Sequence, residues 1–167
     1  MKRWMLAAAL ALPLAGLAAG VAWQENGARN ASAWHIPVAG YDPRDPLRGR
    51  YINFRYVWTV SGPAHLCRDG CDLCLEQGGR HVRVVVKGEQ CPARIDPVAS
   101  RIALIYAPEF GADGQPLAAM SRLFVSEASA PRLEALLRHG PMVVRARLTR
   151  GGRLINDRLE PAGGNAP

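Results

Sequence analysis

Four cysteines are the residues most able to do chemistry in this 167-residue chain: Cys67, Cys71, Cys74 and Cys91. Their spacing, C-x3-C-x2-C followed by a longer gap and Cys91-Pro92, supplies four thiols. That is enough for a tetrahedral zinc or an iron–sulfur cluster. It is also an even number, which in an oxidising compartment reads first as two disulfides. The disulfide reading leads, zinc is the alternative cofactor, and a redox-active Cys71–Cys74 pair comes third. Three connectivities are open, and Cys91 bonded to a cysteine of the 67–74 segment is favoured because it would pin an exposed loop to the neighbouring strand. Asp69 and Asp72 within the cluster read as ordinary loop residues.

The second constellation is Asp42-Pro43-Arg44-Asp45-Pro46-Leu47-Arg48-Gly49, which leads into an alternating run. Two Asp can cap backbone N–H groups and two Pro fix φ, so the segment reads as a turn entering a strand, with Arg44 and Arg48 pairing with Asp42 and Asp45. As a ligand site, its candidates are Asp42, Arg44, Asp45, Arg48, Gly49, Tyr51 and Tyr56, charged side chains and tyrosines presented by a loop on a rigid strand. Tyr51 and Tyr56 fall on opposite strand faces, so one points to the core and the other outward.

Recognised catalytic arrangements are absent. No G-x-S-x-G nucleophile elbow occurs, and His35, His65, His81 and His139 make no HExxH or comparable metal pair. A serine–lysine mechanism needs a Ser before the strand and a lysine base, but Pro, Arg and Asp stand there and Lys87 is the only Lys after Lys2. No catalytic residue is assigned, and the chain reads as a non-enzymatic module. All other basic residues are Arg, alternating with apolar residues rather than clustering, which excludes a nucleic-acid footprint. The net charge of +7 favours contact with anionic headgroups instead.

Position in the cell follows from the N-terminus. Lys2 and Arg3 precede an uncharged run from Met5 to Trp23. A cleaved signal would end near Ala18, Ala19, Gly20 and Ala22. A retained anchor is preferred, because the run approaches the ~20 residues that cross a bilayer and Trp4 and Trp23 bracket it. Either way the positive flank puts the remainder outside the cytoplasm. The expected organisation is a signal-anchor over 1–23, a tether over 24–33, a periplasm-facing domain over 34–160 and a disordered tail over 161–167.

The elements needed to position these residues are mostly strands. Tyr51–Val60 alternates over ten residues, with Ile52, Phe54, Tyr56, Trp58 and Val60 on one face. Further strands are expected at Trp34–Val38, His81–Lys87, Arg101–Tyr106 and Arg122–Val125, and a hairpin pairs Met142–Thr149 with Arg153–Leu159 across Gly151-Gly152. Pro131–Arg138 is the one short helix, with Leu133, Leu136 and Leu137 as its stripe. The expected fold is mainly β: an antiparallel sandwich-like sheet or partly open barrel with one short helix, preceded by the N-terminal transmembrane or signal helix.

The run from Asp42 to Tyr56 resembles the GDYXXLXY family, with the motif positions on Gly49, Arg50, Tyr51, Phe54 and Tyr56. Arg50 stands where the family has Asp, and Phe54 where it has Leu. Arg122-Leu-Phe-Val-Ser-Glu127, with Leu133-Glu134 beyond, is similar to a second family segment. The resemblance implies a membrane-anchored envelope protein at the inner membrane, with an integral membrane protein as neighbour or partner. It implies no reaction.

Overall fold

The computed structural model describes residues 2–29, 31–40, 51–106 and 117–163. The chain forms two units, residues 1–31 and 32–167. The first is helix α1 (Lys2–Arg29), which includes Pro13 and takes in residues 24–29 of the expected tether. Its described apolar side chains Leu12, Leu14, Leu17 and Val21 are exposed. Among the described residues no helix is long and apolar enough to cross a membrane.

The second unit holds two sheets. Strands β1 (Ser32–Gly40), β2 (Tyr51–Tyr56), β8 (Leu117–Phe124), β7 (Ala103–Tyr106), β9 (Met142–Leu148) and β10 (Leu154–Pro161) make an antiparallel six-stranded sheet in the order β10-β9-β1-β2-β8-β7. Strands β3 (Thr59–Ser61), β5 (His81–Val86), β4 (Cys71–Glu76) and β6 (Arg94–Ile95) make a smaller one in that order, with β3 parallel to β5. Mainly β is correct, with a mixed second sheet and, among the described residues, no closed barrel. Helix α2 (Ala130–His139) lies where the Pro131–Arg138 pattern predicts it. It turns Leu133, Leu136 and Leu137 towards the core. The expected hairpin forms between β9 and β10, its glycine turn closed by Gly152 N–H donating to the Thr149 carbonyl.

Two departures have physical causes. The ten-residue alternation from Tyr51 breaks at Val57–Trp58, where the chain leaves one sheet for the other. Val57 N–H donates to the Pro37 carbonyl and Thr59 N–H to the Arg80 carbonyl. The inward face reads through the break because Tyr56 and Trp58 stay stacked, ring centroids 4.4 Å apart. The Cys71–Glu76 stretch, expected as part of a loop, is the strand β4. It lies between β5 and β6 with Cys71, Asp72, Leu73, Cys74 and Leu75 all buried. A strand covered on both faces shows no alternation, and its Cys and Asp imitate loop composition.

One core joins the sheets: Ile36, Phe54 and Val144 of the larger meet Leu73, Val82 and Ile95 of the smaller, all fully buried. The larger sheet is strongly curled. A hydrogen bond joins β10 to β2, three strand positions away, and another joins β10 to β8, four positions away. A flat sheet would separate the latter pair by about 19 Å at ~4.8 Å per step. Burying apolar side chains on the concave face drives this curl.

Candidate functional site

Strand β2 carries the part of the motif that the structure describes. Ile52, Phe54 and Tyr56 point inward and are buried; Tyr51, Asn53 and Arg55 point outward and are half-buried. The pleat therefore divides the two tyrosines as the alternation requires. Asp42, Arg44, Asp45, Arg48 and Gly49 lie outside the described residues.

Tyr56 is a fastener. Its hydroxyl donates to Asn156 Oδ1 at 2.9 Å, and Asn156 Nδ2 donates to Ser121 Oγ at 3.0 Å, tying β2, β10 and β8 together. Phe54 meets its ring edge-on at 5.4 Å. Burial pushes the phenol up to about 12, with hydrogen bonding to Ser121 and Asn156 pulling the other way. A phenol that stays neutral at physiological pH and is sealed from solvent is neither a nucleophile nor a base.

Tyr51 belongs to a surface. Its ring meets Phe124 edge-on at 6.0 Å, and the Arg122 guanidinium lies 5.7 Å from its centroid, a cation–π arrangement. Phe124 is 66% exposed. Beside them a hollow of about 310 Å³ opens, lined in part by Asn53, Arg101, Ala103, Met120 and Arg122. Cross-strand registers place Asn53 opposite Arg122 and Ala103 opposite Met120. This face offers aromatic, amide and guanidinium groups, which suit binding rather than proton transfer.

The cysteines are joined as Cys67–Cys71 and Cys74–Cys91. The four sulfurs are thus split into two pairs, the Cys71–Cys74 pair does not form, and Cys91 does reach the 67–74 segment. Among the described residues no group of three His, Cys, Asp or Glu side chains is placed to hold a metal ion. The Cys74–Cys91 bond clamps the 87–93 segment against β4. Asp72 completes the clamp: its carboxylate is 2% exposed, accepts the Gly88 N–H at 2.8 Å and meets Arg94 at 3.5 Å. It is a buried structural anion, not the ordinary loop residue its neighbours suggested. Nearby, Glu76 pairs with His81 and Arg83, and Glu89 holds Arg83 as well. These contacts, the Glu76 hydrogen bond foremost, raise the Arg83 guanidinium above its usual range.

Ser121, Asn156, Arg101 and Asp72 carried no signal in their local sequence. Their partners are up to a hundred residues away, and only the curled sheet and the disulfides bring them together.

A curled, disulfide-clamped β domain with a buried tyrosine fastener and an outward aromatic–basic face is the class of protein these features define. The family model described as GDYXXLXY protein matches residues 13–159, and the chain belongs to that family. No curated protein and no solved structure matches.

Proposed function

We propose that the protein is a membrane-anchored, periplasm-facing accessory module that works by binding, without turnover, through the outer face of β2 and β8. The observation that carries this reading is the cluster of half-buried Tyr51, on the strand that holds the family motif, with the exposed Arg122 and Phe124 of β8. An aromatic pair with an arginine, its Phe124 two-thirds exposed, has the composition of a contact surface. The basic N-terminal flank, the uncharged run to Trp23 and the exposed leucines of α1 support an anchor. Two disulfides support residence outside the cytoplasm. An integral membrane protein of the inner membrane is the partner this placement favours.

The test has two arms. The full chain should remain with membranes after alkaline washing, while a chain lacking residues 2–29 should be released. A photoreactive phenylalanine at position 124 should crosslink to a discrete membrane protein, and one at the equally exposed Val86 of the small sheet should not. A full chain found in the soluble fraction, or the same crosslinking pattern from both positions, overturns the reading.

A further inference from the structure

We infer that the hollow on the outer face of β2, β8 and β7 binds a phosphate group, gripped by Arg101 and Arg122 with Asn53 beside them. This deepens the preceding reading by naming the ligand class of the same face, and rests on it for the setting in which the ligand is met.

Cross-strand geometry supplies the first argument. Ala103 pairs with Met120 and Leu104 with Ala119. Arg101 stands two residues before β7, in the turn that enters it, and lines the same hollow as Arg122, which is opposite Asn53 across β2 and β8. Like charges that share one hollow repel. Nothing described relieves them: among the described residues neither Arg101 nor Arg122 has a carboxylate partner. Four other arginines of the domain do have one: Arg83, Arg94, Arg147 and Arg158 each meet an acidic side chain.

Backbone conformation adds a second. Arg101 sits at φ +55°, in the left-handed region that a side chain of its size rarely occupies. Its N–H is held by the Val98 carbonyl at 3.1 Å, which fixes the bend just ahead of β7. The Ile102 N–H closes the same turn on the Pro97 carbonyl at 2.9 Å, so the backbone fixes where the Arg101 side chain leaves the chain, beside the hollow.

Two guanidinium forks present donors to several oxygens at once, and a phosphate matches both their geometry and their combined charge better than a single carboxylate does. Asn53 adds an amide donor, and the small Ala103 side chain leaves the space open. A volume of about 310 Å³ admits a phosphate bearing a small organic substituent. A phospholipid headgroup and a soluble phosphate ester share this chemistry.

The experiment uses the full chain in neutral detergent micelles, titrated with inorganic phosphate and with glycerol 3-phosphate by calorimetry. Saturable binding is expected, weakened at least tenfold in both Arg101→Gln and Arg122→Gln, and unchanged in Arg153→Gln, an arginine of the β9–β10 turn outside the hollow. Arg122→Lys keeps the charge but loses the fork, and should fall between. Circular dichroism checks that each variant is folded. The protein is then placed in phosphatidylcholine vesicles with or without phosphatidylglycerol. Suppression of phosphate binding by phosphatidylglycerol identifies a lipid headgroup as the occupant, and undiminished binding identifies a soluble phosphate. Absence of binding, or equal weakening by Arg153→Gln, overturns the inference. Phosphate binding without crosslinking from position 124 would remove the partner reading alone, and crosslinking without phosphate binding would remove this one.

Discussion

At the scale of single residues, Tyr56 shows how a motif side chain can be indispensable without touching a ligand. Its ring fills the space between Phe54 and Trp58, and its hydroxyl satisfies Asn156. Because the folded-state phenol is raised from 10.0 to about 12, the native protein holds its proton where the unfolded chain has lost it. The linked stability is fully present below pH 10 and is lost as pH climbs towards 12. Two units correspond to about 2–3 kcal/mol. Tyr56→Phe should cost about 1 kcal/mol at pH 8 through the lost hydrogen bond. It should also abolish this alkaline component, so that the gap to the parent protein closes or reverses by pH 11. Urea unfolding at the two pH values measures both.

At the scale of elements, the chain's exit from β3 depends on backbone freedom. Gly62 follows β3 at φ +84°, and a Cβ built there would lie 2.8 Å from the Val84 carbonyl oxygen of β5. Both the left-handed φ and the collision penalise any other residue, so Gly62→Ala should destabilise by about 2 kcal/mol or more. A lowered urea midpoint with an unchanged slope would report this, and an unaltered midpoint would contradict it. Strand β4 illustrates a different dependence. It contributes Leu73 and Leu75 to the core and Asp72 and Cys74 to the clamped face. Its stability therefore comes from both sides, and no periodicity marks it.

At the scale of the molecule, the second unit is a core between two sheets with covalent clamps on the smaller one. The two disulfides close very different loops: Cys71 lies four positions after Cys67, and Cys91 lies 17 positions after Cys74. Chain-entropy arguments assign about 2 kcal/mol to the shorter loop and about 3 kcal/mol to the longer. The longer bond also holds the cover over Asp72, so its loss exposes that carboxylate to water. Replacing Cys74 and Cys91 with Ala should lower the melting temperature more than replacing Cys67 and Cys71. Reductant should lower that of the parent protein by at least as much as the larger single-bridge loss. Equal melting temperatures with and without reductant would sink the clamp.

The sequence by itself determined most strands, helix α2, the β9–β10 hairpin and the opposite placement of Tyr51 and Tyr56. Each depends on local periodicity or turn chemistry, which neighbours in the chain specify. The basic, uncharged-then-polar N-terminus likewise carries its own argument for an anchor, and the even cysteine count its argument for disulfides. Only the tertiary structure decided which cysteines pair, that β4 is a strand, and that the sheet curls far enough for Asn156 to meet Tyr56. It alone brought Arg101, in the turn before β7, to the hollow that Arg122 of β8 lines, because separate elements become neighbours only through strand register, and register is settled when one face of every strand is buried at once.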